Sequence, residues 1–188
     1  MANLTLTARS ALDGFTKDYG TLQLRKITGL AVVSIATPLD GGTVLSKAVR
    51  AAFGAGMPSP TMTTVGKNGT RLMSSAADQI LVLFDHLTPD ANAVVHAKIK
   101  GAGYTTDQTD NWVALEITGS NALKALERIC PIDLHDSAFA VDQSARTTME
   151  HMGVFIIRTD AQSYTLLSTS SSARSFLHAV ETSITNVL

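Results

Sequence analysis

Gln79-Ile-Leu-Val-Leu-Phe84, a polar gap, and then Ala91, Val94, Val95 and Ile99 at helical spacing set the plan of the first part of the chain. The same plan returns in Gln162-Ser-Tyr-Thr-Leu-Leu167, a second polar gap, and Ala173, Phe176, Leu177, Val180 and Ile184, at an offset of 83 residues. In each case a strand-like apolar run feeds a helix with one apolar stripe. Val33-Ser-Ile35 corresponds to Leu115-Glu-Ile117 at an offset of 82 residues, and each of these runs also precedes a helix. The pattern predicts an α+β protein made of two related half-units of mostly antiparallel sheet, each with helices packed on one face. Residues 1–20 show no sustained periodicity and are expected to form an extended lead-in. The first half-unit is expected to span residues 21–110 and the second 111–188.

Working outward, Leu30-Ala-Val-Val-Ser-Ile35 is a β-branched run stopped at Pro38 and reads as a buried strand. After Gly41–Gly42, the residues Val44, Leu45, Ala48, Val49, Ala52 and Phe53 fall on one helical face. Strands are expected at about 69–75 and 79–85, then a helix capped by Thr88 or Asp90 and closed by Gly101-Ala-Gly103. Trp112 to Ile117 alternates as a strand with one covered face. A helix capped by Ser120 follows, carrying Leu123, Leu126, Ile129 and Cys130 and stopping before Pro131. Residues 131–143 read as a loop, three strands follow at about 146–151, 153–159 and 163–168, and a last helix runs from about Ser171 to Asn186.

A chain of 188 residues can bury roughly 70% of its unfolded surface and needs no staple. Hydrophobic residues make up 45% and charged residues 16%, the latter low against a usual figure of about 25%, as in a chain that buries more than average, offers apolar surface to a partner, or is simply rich in Ala and Thr. The net charge of −1, with basic residues spread singly, argues against nucleic acid as a partner. No apolar run approaches the roughly 20 residues of a membrane span, and residues 1–14 lack the pattern of a signal peptide. A single cysteine, Cys130, cannot form an intrachain disulfide and fits a reducing compartment, so a cytoplasmic location is expected.

No set of residues assembles a recognisable reaction centre. His86, His96, His135, His151 and His178 include no pair at helical metal-ligand spacing, and Cys130 has no thiol partner, so no metal site is expected. Gly101-Ala-Gly103 lacks the third glycine of a dinucleotide loop and reads as a helix stop. Cys130 sits on the apolar side of its helix and reads as a small core hydrophobe. Ser168-Thr-Ser-Ser-Ser172 reads as a cap and linker, and Asp133 and Asp136 around His135 as solvated loop charges. No catalytic or cofactor-binding residue is expected on this chain.

Trp112-Val-Ala-Leu-Glu-Ile-Thr-Gly119 and Ala122-Leu-Lys-Ala-Leu-Glu-Arg-Ile-Cys-Pro-Ile-Asp-Leu134 resemble the signature segment of the sarcosine oxidase gamma subunit family. The resemblance continues through Phe139, Ala145-Arg-Thr-Thr-Met-Glu-His-Met152 and Ile156-Ile-Arg158 to Ser172-Ala-Arg-Ser-Phe-Leu-His178, and so covers residues 112–178. Ala77-Asp-Gln-Ile-Leu-Val82 is a weaker echo. Where the family often has a basic residue before the last helix, this chain has Ser168–Ser172.

The resemblance implies an oxidoreductase complex of alpha, beta, gamma and delta subunits. Such a complex converts sarcosine to glycine and passes the one-carbon unit to tetrahydrofolate. It implies FAD, FMN and NAD on alpha and beta, tetrahydrofolate on alpha and zinc on delta, with no cofactor on this chain. The gamma subunit resembles a shortened folate-binding domain of the glycine-cleavage aminomethyltransferase, and no catalytic residue is attributed to it. This chain is then expected to be a non-catalytic subunit docked on the large flavoprotein subunit, alpha. The expected interface is Pro131, Ile132, Phe139, Arg146, Met149, His151 and Met152, a mixture of apolar, methionine and arginine side chains that suits buried contacts. The alternative is a folate-binding or aminomethyltransferase-like protein acting on its own, with Asp133, Asp136 and Glu150 as its acidic candidates. A stand-alone folate-sensing domain like the N-terminal part of a tRNA-modifying GTPase is a third reading.

Overall fold

Alternation and β-branched residues make the strands, and the apolar stripes make the helices that cover them. The computed structural model describes residues 10–188, so residues 1–9 of the expected lead-in lie outside the described residues. In chain order the elements are β1 (Thr16–Asp18), β2 (Leu22–Lys26), β3 (Leu30–Ala36), α1 (Gly42–Phe53), β4 (Thr64–Val65), β5 (Arg71–Ala76), β6 (Gln79–Asp85) and α2 (Ala91–Ile99). They continue with β7 (Tyr104–Asp107), β8 (Trp112–Gly119), α3 (Ala122–Glu127), β9 (Ser144–Met149), β10 (Met152–Asp160), β11 (Ser163–Thr169) and α4 (Ala173–Thr185). A five-stranded sheet has the order β4-β5-β6-β3-β7 and a six-stranded sheet the order β1-β2-β8-β11-β10-β9. Every pairing in both sheets is antiparallel.

Each sheet is covered on one face by its own helices. Leu45, Val49, Phe53, Val95 and Ile99 pack on Val33, Ile35, Ile80 and Val82. Leu126, Phe176, Val180 and Ile184 pack on Leu115, Ile117, Tyr164 and Leu166. The opposite faces of the sheets meet each other in a third cluster of Val32, Met73, Leu81, Leu83, Ala114, Phe155, Ile157 and Leu167. The result is a helix–sheet–sheet–helix stack, because β3, β6, β10 and β11 are apolar on both faces.

The internal repeat is present, with a register that differs from the sequence alignment. Val33 lies opposite Val82 in the first sheet, and Leu115 lies opposite Leu166 in the second. The equivalent of Val82 is therefore Leu166, an offset of 84 rather than 83. A one-residue slip would turn a helix-facing side chain toward the other sheet. The hairpin bulges agree: register shifts fall between Ser74 and Ala76 in β5 and between Arg158 and Asp160 in β10, again 84 apart.

The sheets also divide the chain differently from a boundary at residues 110 and 111. In the first unit α2 is followed by β7, which pairs beside β3. The equivalent place beside β8 is filled by β2 from the N-terminal part of the chain, with β1 outside it. Residues 16–18, part of the expected lead-in, are thus a strand, held by Lys17 Nζ and Tyr19 Oη, each donating to Glu181 Oε1 on α4 at 2.8 Å. Gly119 allows β2 this close: a Cβ there would lie 2.4 Å from Thr21 O, and its φ is +128°.

The start of α3 departs from expectation, and that of α2 holds in position at Asp90 but without a side-chain cap. Asn121, not Ser120, precedes α3, and the side chains of both residues bond Thr21 instead of capping the helix. Asp90 precedes α2, but its carboxylate accepts from Thr88 and contacts His86. Val44, expected on the inner face of α1, is exposed; Leu45 takes the buried place. Gly101, at φ +72°, follows the stop of α2.

Candidate functional site

The segment from Pro131 to Met152 begins as a loop without regular structure and ends in the β9–β10 hairpin. Arg158 organises the loop from β10. Its guanidinium, almost fully buried, donates to Phe139 O at 2.7 Å, Ala161 O at 2.6 Å and Asp136 Oδ1 at 2.6 Å, and its Nε reaches Asp160 O at 3.4 Å. A second arginine, Arg71 of β5, donates to Asp142 Oδ1 and Thr63 Oγ1. Thr63 N and Oγ1 both bond Asp142 O, and Ser144 N bonds Thr61 O. These contacts join the loop to the first unit. Sequence reasoning missed both arginines, although a lone cation ending the apolar run Val154–Ile157 was a legible sign of a buried, multiply bonded group.

The seven expected interface residues divide into three groups. Phe139 and Met149 belong to the second unit's core, at 5% and 0% exposure, so they are corrected from contact surface to internal packing. Met149 turns inward at the end of β9 beside exposed Thr148, and Phe139 packs into the core from the loop. Ile132 and Met152 are half-buried against the same core. Pro131, Arg146 and His151 are exposed. Glu150 and His151 form the hairpin tip with φ of +46° and +66° between the paired Met149 and Met152. Positive φ at both central residues fits the strand twist of a two-residue hairpin, but non-glycine residues hold it at a cost in strain. Arg146 lies over the Phe155 ring, 5.4 Å from guanidinium carbon to centroid.

Clefts flank this hairpin on both sides. One of about 440 Å³ is lined by Arg146, Phe155, Ser74, Gln79 and Pro58, between the two sheets. The other, of about 450 Å³, lies between the hairpin and α4 and is lined by Glu150, Met152, Arg128, His178 and Thr182. A larger cleft of about 750 Å³ opens at the far end of the sheet interface, lined by Lys26, His86, Asp110 and Trp112. Among the described residues the buried Trp112 Nε1 has no hydrogen-bond partner.

The chemical candidates are occupied with structural tasks. Asp136 pairs with Arg158, and Asp133 Oδ1 accepts from His135 N at 2.9 Å in a local turn. Cys130 is buried, and burial pushes its thiol pKa up, away from the reactive thiolate. In the Ser168–Ser172 run, Ser172 Oγ bonds back to Thr169, and Ser168 is buried. No group of three potential metal ligands exists among the described residues. No helix of the described residues is long and apolar enough to cross a membrane.

No protein-family model matches the chain. The sarcosine oxidase subunit gamma of Corynebacterium sp. (strain P-1) is 31% identical over 161 residues, covering 85% of this chain and 78% of that one. A chain of the heterotetrameric sarcosine oxidase from Corynebacterium sp. U-96, solved with pyrrole 2-carboxylate, superposes with a TM-score of 0.77 at 23% identity, over 88% of this chain and 84% of that one. The glycine cleavage system aminomethyltransferase T of Bartonella henselae superposes with a TM-score of 0.58 at 12% identity, over 84% of this chain and 44% of that one, a likeness of fold.

Proposed function

The chain belongs to the sarcosine oxidase gamma subunit family, and from that premise we propose that it is a non-catalytic subunit of a heterotetrameric sarcosine oxidase. The identity to a gamma subunit over most of both chains carries this reading. Its task is to dock on the large flavoprotein subunit, alpha, and stabilise the assembly, beside beta and delta. The oxidative demethylation of sarcosine, with FAD, FMN, NAD, tetrahydrofolate and zinc, takes place on those partners in the cytoplasm. The ion pair of Asp136, the turn bond of Asp133 and the burial of Cys130 support a structural role.

The docking face in this reading is the β9–β10 hairpin with Pro131, Ile132, Arg146, His151 and Met152. Its support is the mixture of exposed cation, half-buried apolar side chains and two flanking clefts. The test is recovery of partners from the native host by a tagged chain, with the flavin spectrum of the eluate. Wild-type chain should return a yellow complex, and R146E/H151E should return it in reduced yield while folding normally. Undiminished recovery with the double variant removes this face from the interface.

The cleft beside Trp112 favours a second reading, ligand binding by the chain alone. Titration of the isolated chain with a tetrahydrofolate analogue, read by Trp112 fluorescence, separates the two: saturable quenching supports the second reading and a flat trace the first.

A further inference from the structure

The two sheets face the same problem at their edges and solve it unequally. An edge strand exposes unpaired N–H and C=O groups, and proteins guard it by shortness, lysine, proline, a bulge or a cover. β4 and β9 lie at corresponding ends of the two sheets and are joined through the Met62–Gln143 bridge and the bond from Ser144 N to Thr61 O. β1 is three residues long, carries Lys17, and is tied to α4. β7, Tyr104-Thr-Thr-Asp107, is guarded only by its four-residue length, with no lysine, proline, bulge or covering strand among the described residues. By the internal repeat β7 is the counterpart of β2, whose outer edge is covered by β1. Among the described residues the first sheet therefore stops one strand short of the second.

The surroundings of that edge are shaped for an addition. A groove of about 540 Å³ runs beside β7, lined by Asn92, Ala93 and His96 of α2 with Gly103, Tyr104 and Thr105. Asn92 Oδ1 is buried in this region and has no hydrogen-bond partner among the described residues. Tyr104 is 69% exposed. Gln108 N donates to Val32 O, so the alternation of an antiparallel ladder leaves the main-chain groups of Thr105 and Asp107 on the outer edge.

We propose that the β7 edge is a docking site for an extended segment of another subunit of the complex, added as a sixth strand with its side chains in the groove against α2. Main-chain bonds to Thr105 and Asp107 supply the affinity, and a donor from the segment meets Asn92 Oδ1. The occupant is a partner subunit rather than a second copy. Pairing two four-residue edges buries far less than the roughly 1,200 Å² of a stable interface, whereas a subunit anchored elsewhere can add a strand. The proposal rests on the subunit reading above and adds a contact separate from the β9–β10 face.

Hydrogen–deuterium exchange on the wild-type chain, isolated and in the complex drawn from its host, tests this. Exchange of the 104–107 segment should slow by about tenfold on assembly, roughly the factor one well-formed hydrogen bond confers. T105P, which removes an outward N–H and leaves the β3 pairing intact, should fold with an unchanged spectrum and lose yield of complex. T105V, which keeps the N–H, should behave as wild type. A complex with unslowed exchange at 104–107, or undiminished assembly by T105P, overturns strand addition alone. Slowing in the isolated chain that grows with its concentration overturns the heteromeric occupant in favour of a second copy. Failure of wild-type chain to recover any partner overturns the subunit reading and this proposal together.

Discussion

Arg158 and Asp136 form an ion pair at 2.6 Å, yet the two members should contribute very unequally to stability. The arginine side chain is 4% exposed and the aspartate 73%. The carboxylate is screened by water, so an exposed contact of this kind contributes about 1 kcal/mol or less. The guanidinium, by contrast, also satisfies Phe139 O and Ala161 O, at 2.7 Å and 2.6 Å. Leaving a buried acceptor without its donor costs about 1–3 kcal/mol each. R158M, which keeps the apolar stem, should therefore lose about 3 kcal/mol, and D136N about 1 kcal/mol or less. The difference is large against a typical domain stability of about 5–15 kcal/mol. Urea unfolding followed by far-ultraviolet circular dichroism, with midpoints compared at equal slope, measures both. Equal losses for the two variants, or a loss below about 1 kcal/mol for R158M, would refute the assignment of the cation to the carbonyls.

Burial alone would raise the pKa of Glu181, but the hydrogen bonds from Lys17 and Tyr19 outweigh it and hold its carboxyl below its usual value. A depressed carboxylate stabilises above its unfolded pKa of about 4.3, and that contribution fades as pH falls through the lower folded value; the gap in urea midpoint between wild type and E181Q should therefore be largest near neutrality and close below about pH 4. Gly119→Ala should drive a methyl group into Thr21 O and destabilise the fold by about 1–3 kcal/mol, seen as a lowered urea midpoint. Cys130 should resist a thiol reagent such as dithionitrobenzoate in the folded chain and react fully in denaturant, because its thiol is buried with its pKa raised.

Long apolar runs were the legible part of the fold. β3, β6 and β10 are buried on both faces, so their hydrophobic residues are contiguous and their ends are marked by Pro38, Ala77-Asp78 and Asp160-Ala161. β2 and β7 were missed for a physical reason. Leu22-Gln-Leu-Arg-Lys26 buries only two side chains, and Tyr104–Asp107 buries none, so their membership of a sheet is decided by pairing partners far along the chain. The offset of 83 failed because identity between the halves is too low to fix a register, which Val33–Val82 and Leu115–Leu166 set through contacts across the sheet. The candidate site was legible as a segment but not by side chain. Composition singled out residues 131–152, while burial separated Phe139 and Met149 from Arg146 and His151. Arg158 was marked in the sequence only as the lone cation ending Val154–Ile157; the loop carbonyl it holds, and Arg71's pairing with Thr63 and Asp142, are relations no spacing rule encodes.

Native mass spectrometry of material purified from the host through a tag on this chain tests whether it is one subunit of a heterotetramer. One assembly in which the 19.9 kDa chain is held with three different subunits is the expected result. A spectrum containing only the 19.9 kDa chain or its multiples would show that the chain is not such a subunit.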